Sequence, residues 1–193
     1  GGLTDSERAD YTRKIGEASR RLSVLVTNIL QLSRLENQQI PPRREAFLVS
    51  ERLCGRALAF ERIMDEKGID LECDLDEGAL AWGDPALLDT VWDNLVSNAL
   101  KFTEPGGTVR LRVRRVEGSV LVTVADTGCG IPAEDLARIF DKFYQADSSH
   151  ATQGNGLGLA LVARIVALSG GSVSVESALG EGSAFTVRLD AAE

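Results

Sequence analysis

Two glycine-rich turns constrain this chain more than any other feature. Asp126-Thr-Gly-Cys-Gly-Ile131 closes an apolar segment, and Gly154-Asn-Gly-Leu-Gly-Leu159 opens another after a helix-sized gap. Glycine lets backbone amides come close to a bulky anion, and such turns commonly cradle one. A strand that stops at the first turn and a helix that starts from the second together describe an α/β domain. The candidate ligand is a nucleotide.

The rest of the chain fits that layout. Thr4 and Glu7 form a capping box, and Ile15, Ala18, Leu22, Leu25, Ile29 and Leu32 follow with the a/d rhythm of a coiled coil, widened by Val24, Val26 and Leu35. Such a helix needs a partner, and no second helix of matching length and pattern follows. Pro41 and Pro42 stop it. The pattern then predicts a helix over Ser50 to Glu66 ended by Gly68, strands over Ile69 to Leu75 and Ala79 to Trp82, and a helix from Asp84-Pro85 to about Phe102, broken by Pro105-Gly-Gly107. Val109, Leu111 and Val113 alternate with Arg110, Arg112 and Arg114, predicting a half-buried strand with a solvated outer face, and Val120 to Asp126 completes a hairpin. A helix over Glu134 to Phe143, a polar loop over Gln145 to Asn155, a helix to about Ser169, and strands over Ser172 to Ser177 and Ala184 to Leu189 finish the chain. The architecture expected is one antiparallel or mixed sheet with helices on one face, preceded by a helical stalk.

Composition narrows the partners. With 193 residues and 44% hydrophobic content the chain can bury a core without staples. Its formal charge of -8 and lack of a basic stripe argue against nucleic acid. Cys54, Cys73 and Cys129 are odd in number and widely spaced, which suggests neither a disulfide framework nor a zinc site and fits a reducing, cytoplasmic compartment. No apolar run reaches the roughly 20 residues that span a bilayer. The chain opens Gly-Gly without Met, so it reads as a fragment, and a membrane segment could lie upstream.

Three groups of residues can do chemistry. On the helix ending at Phe102, Leu88, Val91, Leu95, Ala99 and Phe102 make a core stripe, while Thr90, Asn94, Asn98 and Lys101 make a polar one. Asparagine is a poor residue inside a helix, and an amide oxygen suits Mg²⁺, which takes few protein ligands and fills its shell with phosphate and water. Asp126 can only accept hydrogen bonds while ionised, so it would take the amino group of adenine and repel the carbonyl of guanine. Gly154, Gly156 and Gly158 run into an apolar helix whose N-terminus offers unpaired N–H groups to a phosphate. The polar stretch Ala146 to Gln153 before them has the composition of a mobile lid. His150 is the only histidine, and nothing at fixed spacing would orient it, so it receives no role.

In order and spacing these motifs resemble the boxes of bacterial sensor histidine kinases. The matching residues are Asn94-Leu-x-x-Asn98-Ala-x-Lys101-Phe-Thr, Asp126-Thr-Gly-x-Gly-Ile131, Ile139-Phe-Asp-Lys-Phe-Tyr144, Gly154-x-Gly-Leu-Gly-Leu-Ala160 and Gly180-Glu-Gly-Ser-x-Phe185. The resemblance implies a Bergerat (GHKL) ATP-binding sandwich over 47–190, a linker over 41–46, and over 1–40 the second helix of a dimerisation hairpin. It implies that Asn98 holds Mg²⁺ with Asn94 assisting, that Lys101 approaches the phosphates, that Phe102 lies against adenine, and that Asp126 binds its amino group. Gly128 and Gly130 would let the base approach, Ile131 would belong to the same ATP site, and Gly154, Gly156, Leu157 and Gly158 would wrap the phosphates. Phe140 and Phe143 would anchor the base of the lid. The implied activity is transfer of the γ-phosphoryl group of ATP to a histidine, with a second copy of the hairpin and a response regulator receiver domain as partners.

Two positions depart from the family pattern. The acceptor histidine belongs to the first hairpin helix, which this chain lacks. Gln145 stands where many members carry a basic residue for the γ-phosphate, leaving Lys142 or Lys101 to supply that charge. Two other readings compete. Bergerat-fold ATPases of the gyrase or MutL kind place a water-activating glutamate where Asn94 stands, and a degenerate domain could scaffold a dimer without binding nucleotide.

Overall fold

The computed structural model describes residues 4–37, 42–145 and 155–193. Contacts divide the chain into two compact units, 1–39 and 40–193. The first is one helix, α1 (Asp5–Glu36), begun by the Thr4–Glu7 capping box, in which Glu7 N–H donates to Thr4 Oγ1 at 3.3 Å and Thr4 N–H to Glu7 Oε2 at 2.7 Å. Much of its apolar stripe stays in water, Ile15 being 68% exposed and Leu22 63%, whereas Leu32 and Leu35 in its last turns are buried.

The second unit holds β1 (Glu45–Leu48), α2 (Val49–Leu58), α3 (Glu61–Lys67), β2 (Asp70–Leu75), β3 (Leu80–Gly83), α4 (Pro85–Phe102), β4 (Thr108–Val116), β5 (Ser119–Asp126), α5 (Gly158–Leu168), β6 (Ser172–Ala178) and β7 (Gly182–Asp190). Five strands form a mixed sheet in the order β2-β4-β5-β7-β6, with β2 and β4 parallel and the other pairs antiparallel. β1 and β3 make a separate antiparallel pair. Val109, Leu111 and Val113 alternate with exposed arginines, as period-2 patterning requires, and join Val120, Val122, Val124, Phe185, Val187 and Leu189 on the buried side. Arg110 pairs with Glu72, and Arg112 and Arg114 with Asp74, on the open side. α4 and α5 pack on one another and fill the core with Leu88, Val91, Trp92, Leu95, Leu161, Val162 and Ile165. At about 1.5 to 3 kcal/mol per fully buried large side chain, this layer dominates the stability of the unit.

α4 is placed by its caps. Asp84 Oδ1 accepts from the N–H groups of Ala86 at 3.1 Å and Leu87 at 3.2 Å, and Pro85 starts the helix where no donor is needed.

Four expectations change. The predicted helix Ser50 to Glu66 is two helices, because a tight turn in which Phe60 N–H donates to Ala57 O at 3.0 Å re-aims the chain and puts Met64 in the core. The helix expected over Glu134 to Phe143 is a chain of turns. There Asp135 N–H bonds Pro132 O, Arg138 N–H bonds Asp135 O and Asp141 N–H bonds Arg138 O, while Ile139 is buried and Phe140 meets Phe185 edge-on at 6.5 Å. β1 carried no periodic signal, being four residues long with only Phe47 buried. Phe102, expected in the core stripe, is half-buried, whereas Trp92, Val96 and Leu100 join the core.

Candidate nucleotide site

Four tight approaches draw the predicted site residues together. The first joins α4 to α5. Asn94 donates its amide N–H to Thr90 O at 2.7 Å, which leaves Oδ1 directed at Gly158, where an added Cβ would lie 2.5 Å from that oxygen. Any side chain there would have to push Asn94 aside. α5 begins at this contact with no side-chain cap, so the N–H groups of its first turn are offered beside an amide oxygen. Asn155 Oδ1 accepts from Leu157 N–H at 3.1 Å, and Leu157 itself is fully buried, pinning the turn from below.

The second approach joins the end of α4 to the Asp-Thr-Gly turn. Cys129 N–H donates to Phe102 O at 3.4 Å, and a Cβ on Gly128 would sit 2.4 Å from the same carbonyl oxygen. The third locks that turn to β6 and β7. Gly130 has φ of +69°, and its Cβ would lie 1.9 Å from Ala178 O; Ile131 N–H donates to Ser177 Oγ at 2.8 Å, and Ser177 Oγ donates to Gly182 O at 2.7 Å. These glycines therefore answer to neighbouring backbone. The fourth joins the turns after Ile131 to the second glycine box: Phe143 N–H donates to Gly156 O at 2.8 Å, and Phe143 adopts φ of +62°, an uncommon conformation for an aromatic residue. Phe143 stays 60% exposed. Tyr144 OH bonds Asp135 Oδ1 at 2.5 Å, and Arg138 covers the Tyr144 ring at 4.3 Å.

Two charged groups stand in this frame. Burial pushes the Asp126 carboxyl above its ordinary value, while N–H groups of Gly128 and Ser183 pull it back. Gly128 N–H donates to Asp126 Oδ1 at 2.9 Å, which fixes the carboxylate by an Asx turn. Burial draws the Lys101 ammonium below its ordinary value, and it lies 4.3 Å from the centre of the Phe102 ring. Asn98 is half-buried one helical turn beyond Asn94, and among the described residues its amide makes no hydrogen bond. Gly154, His150 and the lid sequence 146–153 lie outside the described residues. Sequence reasoning missed Ser177, Ser183 and Lys67, whose polar atoms brace the site; the Gly180 to Phe185 box signalled only the segment that carries Ser183.

Residues 83–193 match the family described as histidine kinase-, DNA gyrase B- and HSP90-like ATPases. The chain belongs to that family. Among its relatives, the sensor histidine kinase RppB of Synechocystis is 38% identical over 88% of this chain, and the circadian input-output histidine kinase CikA of Synechococcus elongatus is 40% identical over 97%. This chain covers 38% of the first and 25% of the second, well under half of either relative. A crystal structure of full-length ShkA in complex with AMPPNP is 32% identical, superimposes with a TM-score of 0.82, and is matched by the whole of this chain over 40% of its own length. The family match begins at the end of β3 and takes in α4, both glycine turns and β7. It leaves out α1 to α3. The relatives place the chain with bacterial sensor histidine kinases rather than with the gyrase branch.

Proposed function

We propose that the chain is the ATP-binding catalytic portion of a sensor histidine kinase, with residues 47–190 as the catalytic domain, 41–46 as a linker and 1–40 as the second helix of a dimerisation hairpin. In the intact protein it transfers the γ-phosphoryl group of Mg-ATP to a histidine on the first hairpin helix, and the group then passes to an aspartate on a response regulator receiver domain. The observation that carries this reading is the meeting of Asn94 Oδ1 with Gly158 at the uncapped start of α5. It puts a neutral oxygen ligand and a row of phosphate-binding N–H groups at one point.

The donor set suits a magnesium ion. Asn94 and Asn98 offer amide oxygens and no carboxylate, so the pair can hold a hard cation only together with phosphate and water oxygens. Bound there, the ion would neutralise charge on the β- and γ-phosphates. The remaining work belongs to the chain. Gly156, Leu157 and Gly158 bring α5's N–H groups to the phosphates, with Gly154 continuing the same box, and Lys101 adds positive charge. Phe102 and Ile131 flank the base, Gly128 and Gly130 keep its slot open, and Phe143 holds the turn below. Asp126 accepts from the adenine amino group and disfavours guanine, whose carbonyl would face a carboxylate. Catalysis is then positioning and charge stabilisation, with little covalent work for the domain.

Calorimetry with AMPPNP, in magnesium and then in EDTA, tests the reading. We expect magnesium-dependent binding, weaker for the guanine analogue, and labelled phosphate from ATP appearing on a supplied hairpin carrying the acceptor histidine. A chain that binds no adenine nucleotide overturns the proposal. One that binds and releases phosphate without labelling the hairpin moves it to the gyrase-like ATPases.

A further inference from the structure

The last carbonyls of a helix need partners from outside it, and α4 ends inside the site. Ala99 O is satisfied locally, by Thr103 N–H at 2.9 Å and Thr103 Oγ1 at 2.6 Å. Phe102 O takes the Cys129 N–H. The carbonyls between them are taken by one side chain from another helix: Lys67 Nζ donates to Leu100 O at 2.7 Å and more distantly to Lys101 O at 3.4 Å, and it also reaches Thr103 O at 2.6 Å. Lys67 is itself held. It closes α3 just before Gly68, which turns left-handed at φ of +62°, and its carbonyl accepts from Gly106 N–H at 3.0 Å.

We propose that Lys67 is a positioning residue for the nucleotide site, acting through the last turn of α4. The inference rests on the nucleotide-binding reading above. The turn it caps carries Lys101 and Phe102 and presents the carbonyl on which the Asp126 to Gly130 turn leans. An ammonium at a helix C-terminus is favoured by the helix dipole, and hydrogen bonds from a charged donor are the strong kind. Removing it leaves the Leu100 and Thr103 carbonyls without that donor and frees the last turn to fray. Both sides of the base slot then lose their reference: Phe102 on the helix side and Asp126 on the turn side. Lys67 touches no ligand, so its effect reaches affinity through geometry alone. This separates it from Lys101, which faces the phosphates.

Lys67→Met and Lys67→Arg test this in the 193-residue chain. AMPPNP affinity is read by calorimetry in magnesium, at a temperature where circular dichroism shows each variant fully folded, and amide hydrogen exchange is followed in the ligand-free protein. We expect Lys67→Met to bind roughly tenfold more weakly, the scale of losing one charged hydrogen bond, and Lys67→Arg to recover most of that loss. Faster exchange should be confined to 100–103 and 127–130. A folded Lys67→Met protein with wild-type affinity and unchanged exchange there overturns the proposal, as does acceleration spread evenly over the domain. Should Lys67→Met not fold, Lys67→Gln is read by the same two measurements. If the unaltered chain binds no AMPPNP, the nucleotide reading falls by itself, and exchange at 127–130 still decides whether Lys67 positions that turn.

Discussion

At the scale of single residues, the site is built from groups that the ligand-free fold holds at a cost. Asp126 has its pKa raised by burial, against the pull of the Gly128 and Ser183 N–H groups. The sign follows directly: the stability linked to this group is fully present below the ordinary carboxyl value of 3.8 and is lost as pH rises through the higher folded value. At neutral pH the ionised form therefore weighs against the empty fold, and an amino group donated by adenine offsets it. Lys101 mirrors this with a lowered pKa: the stability linked to it is present above its unfolded value of 10.5 and lost as pH falls through the folded one, so its charged form also costs stability at neutral pH. Asp126→Asn should leave the melting temperature of the empty protein unchanged or higher and weaken adenine nucleotide binding by about ten- to a hundredfold. Acidification should weaken wild-type binding more than that of Asp126→Asn, which has no carboxyl to titrate; parallel calorimetric pH profiles for the two proteins would remove the assignment.

At the scale of elements, the glycines sort by what they approach. A Cβ at Gly158 meets a side-chain oxygen, Asn94 Oδ1, whereas one at Gly130 meets the backbone of Ala178 and would also sit at positive φ. Gly158→Val should therefore displace Asn94 and lower Mg-AMPPNP affinity by tenfold or more, on the order of 1.4 kcal/mol, with a smaller effect on unfolding. Gly130→Ala should destabilise the fold itself by at least about 2 kcal/mol, because backbone cannot swing away. Urea titration and calorimetry on both variants check the split; equal loss of stability would erase the distinction. α4 was legible in the sequence because Asp84, Pro85 and its apolar spacing all say the same thing. The turns after Ile131 were not, because Tyr144, Arg138 and Phe140 fold that segment through ring contacts that local propensity does not encode. The break between α2 and α3 has no glycine or proline to announce it. α2 is further tied to α4 by Arg52 with Asp89 and Arg56 with Asp93, matched pairs one turn apart on both helices. Their partial exposure keeps each near 0 to 1 kcal/mol.

At the scale of the whole molecule, α1 is a helix of 32 residues with an apolar seam in water, and among the described residues no helix is long and apolar enough to cross a membrane. Ile15, Leu22 and Ile29 stand seven residues apart and are 68%, 63% and 38% exposed, which a helix tolerates only against another helix. Two copies of α1 can pair through this seam. Light scattering should show a concentration-dependent dimer that Leu22→Glu with Ile29→Glu converts to monomer, while AMPPNP affinity stays unchanged; a wild-type chain monomeric throughout would refute the seam.

The boxes, the caps and the two periodicities were settled by the linear order of residues, because each depends on neighbours within a turn or two. Tertiary structure alone decided that Asn94 meets Gly158, that β2 lies parallel to β4, and that a lysine from α3 finishes α4. Those contacts join residues 33 to 64 positions apart, and a sequence carries no local signal for a hydrogen bond whose partner arrives only after the sheet has closed.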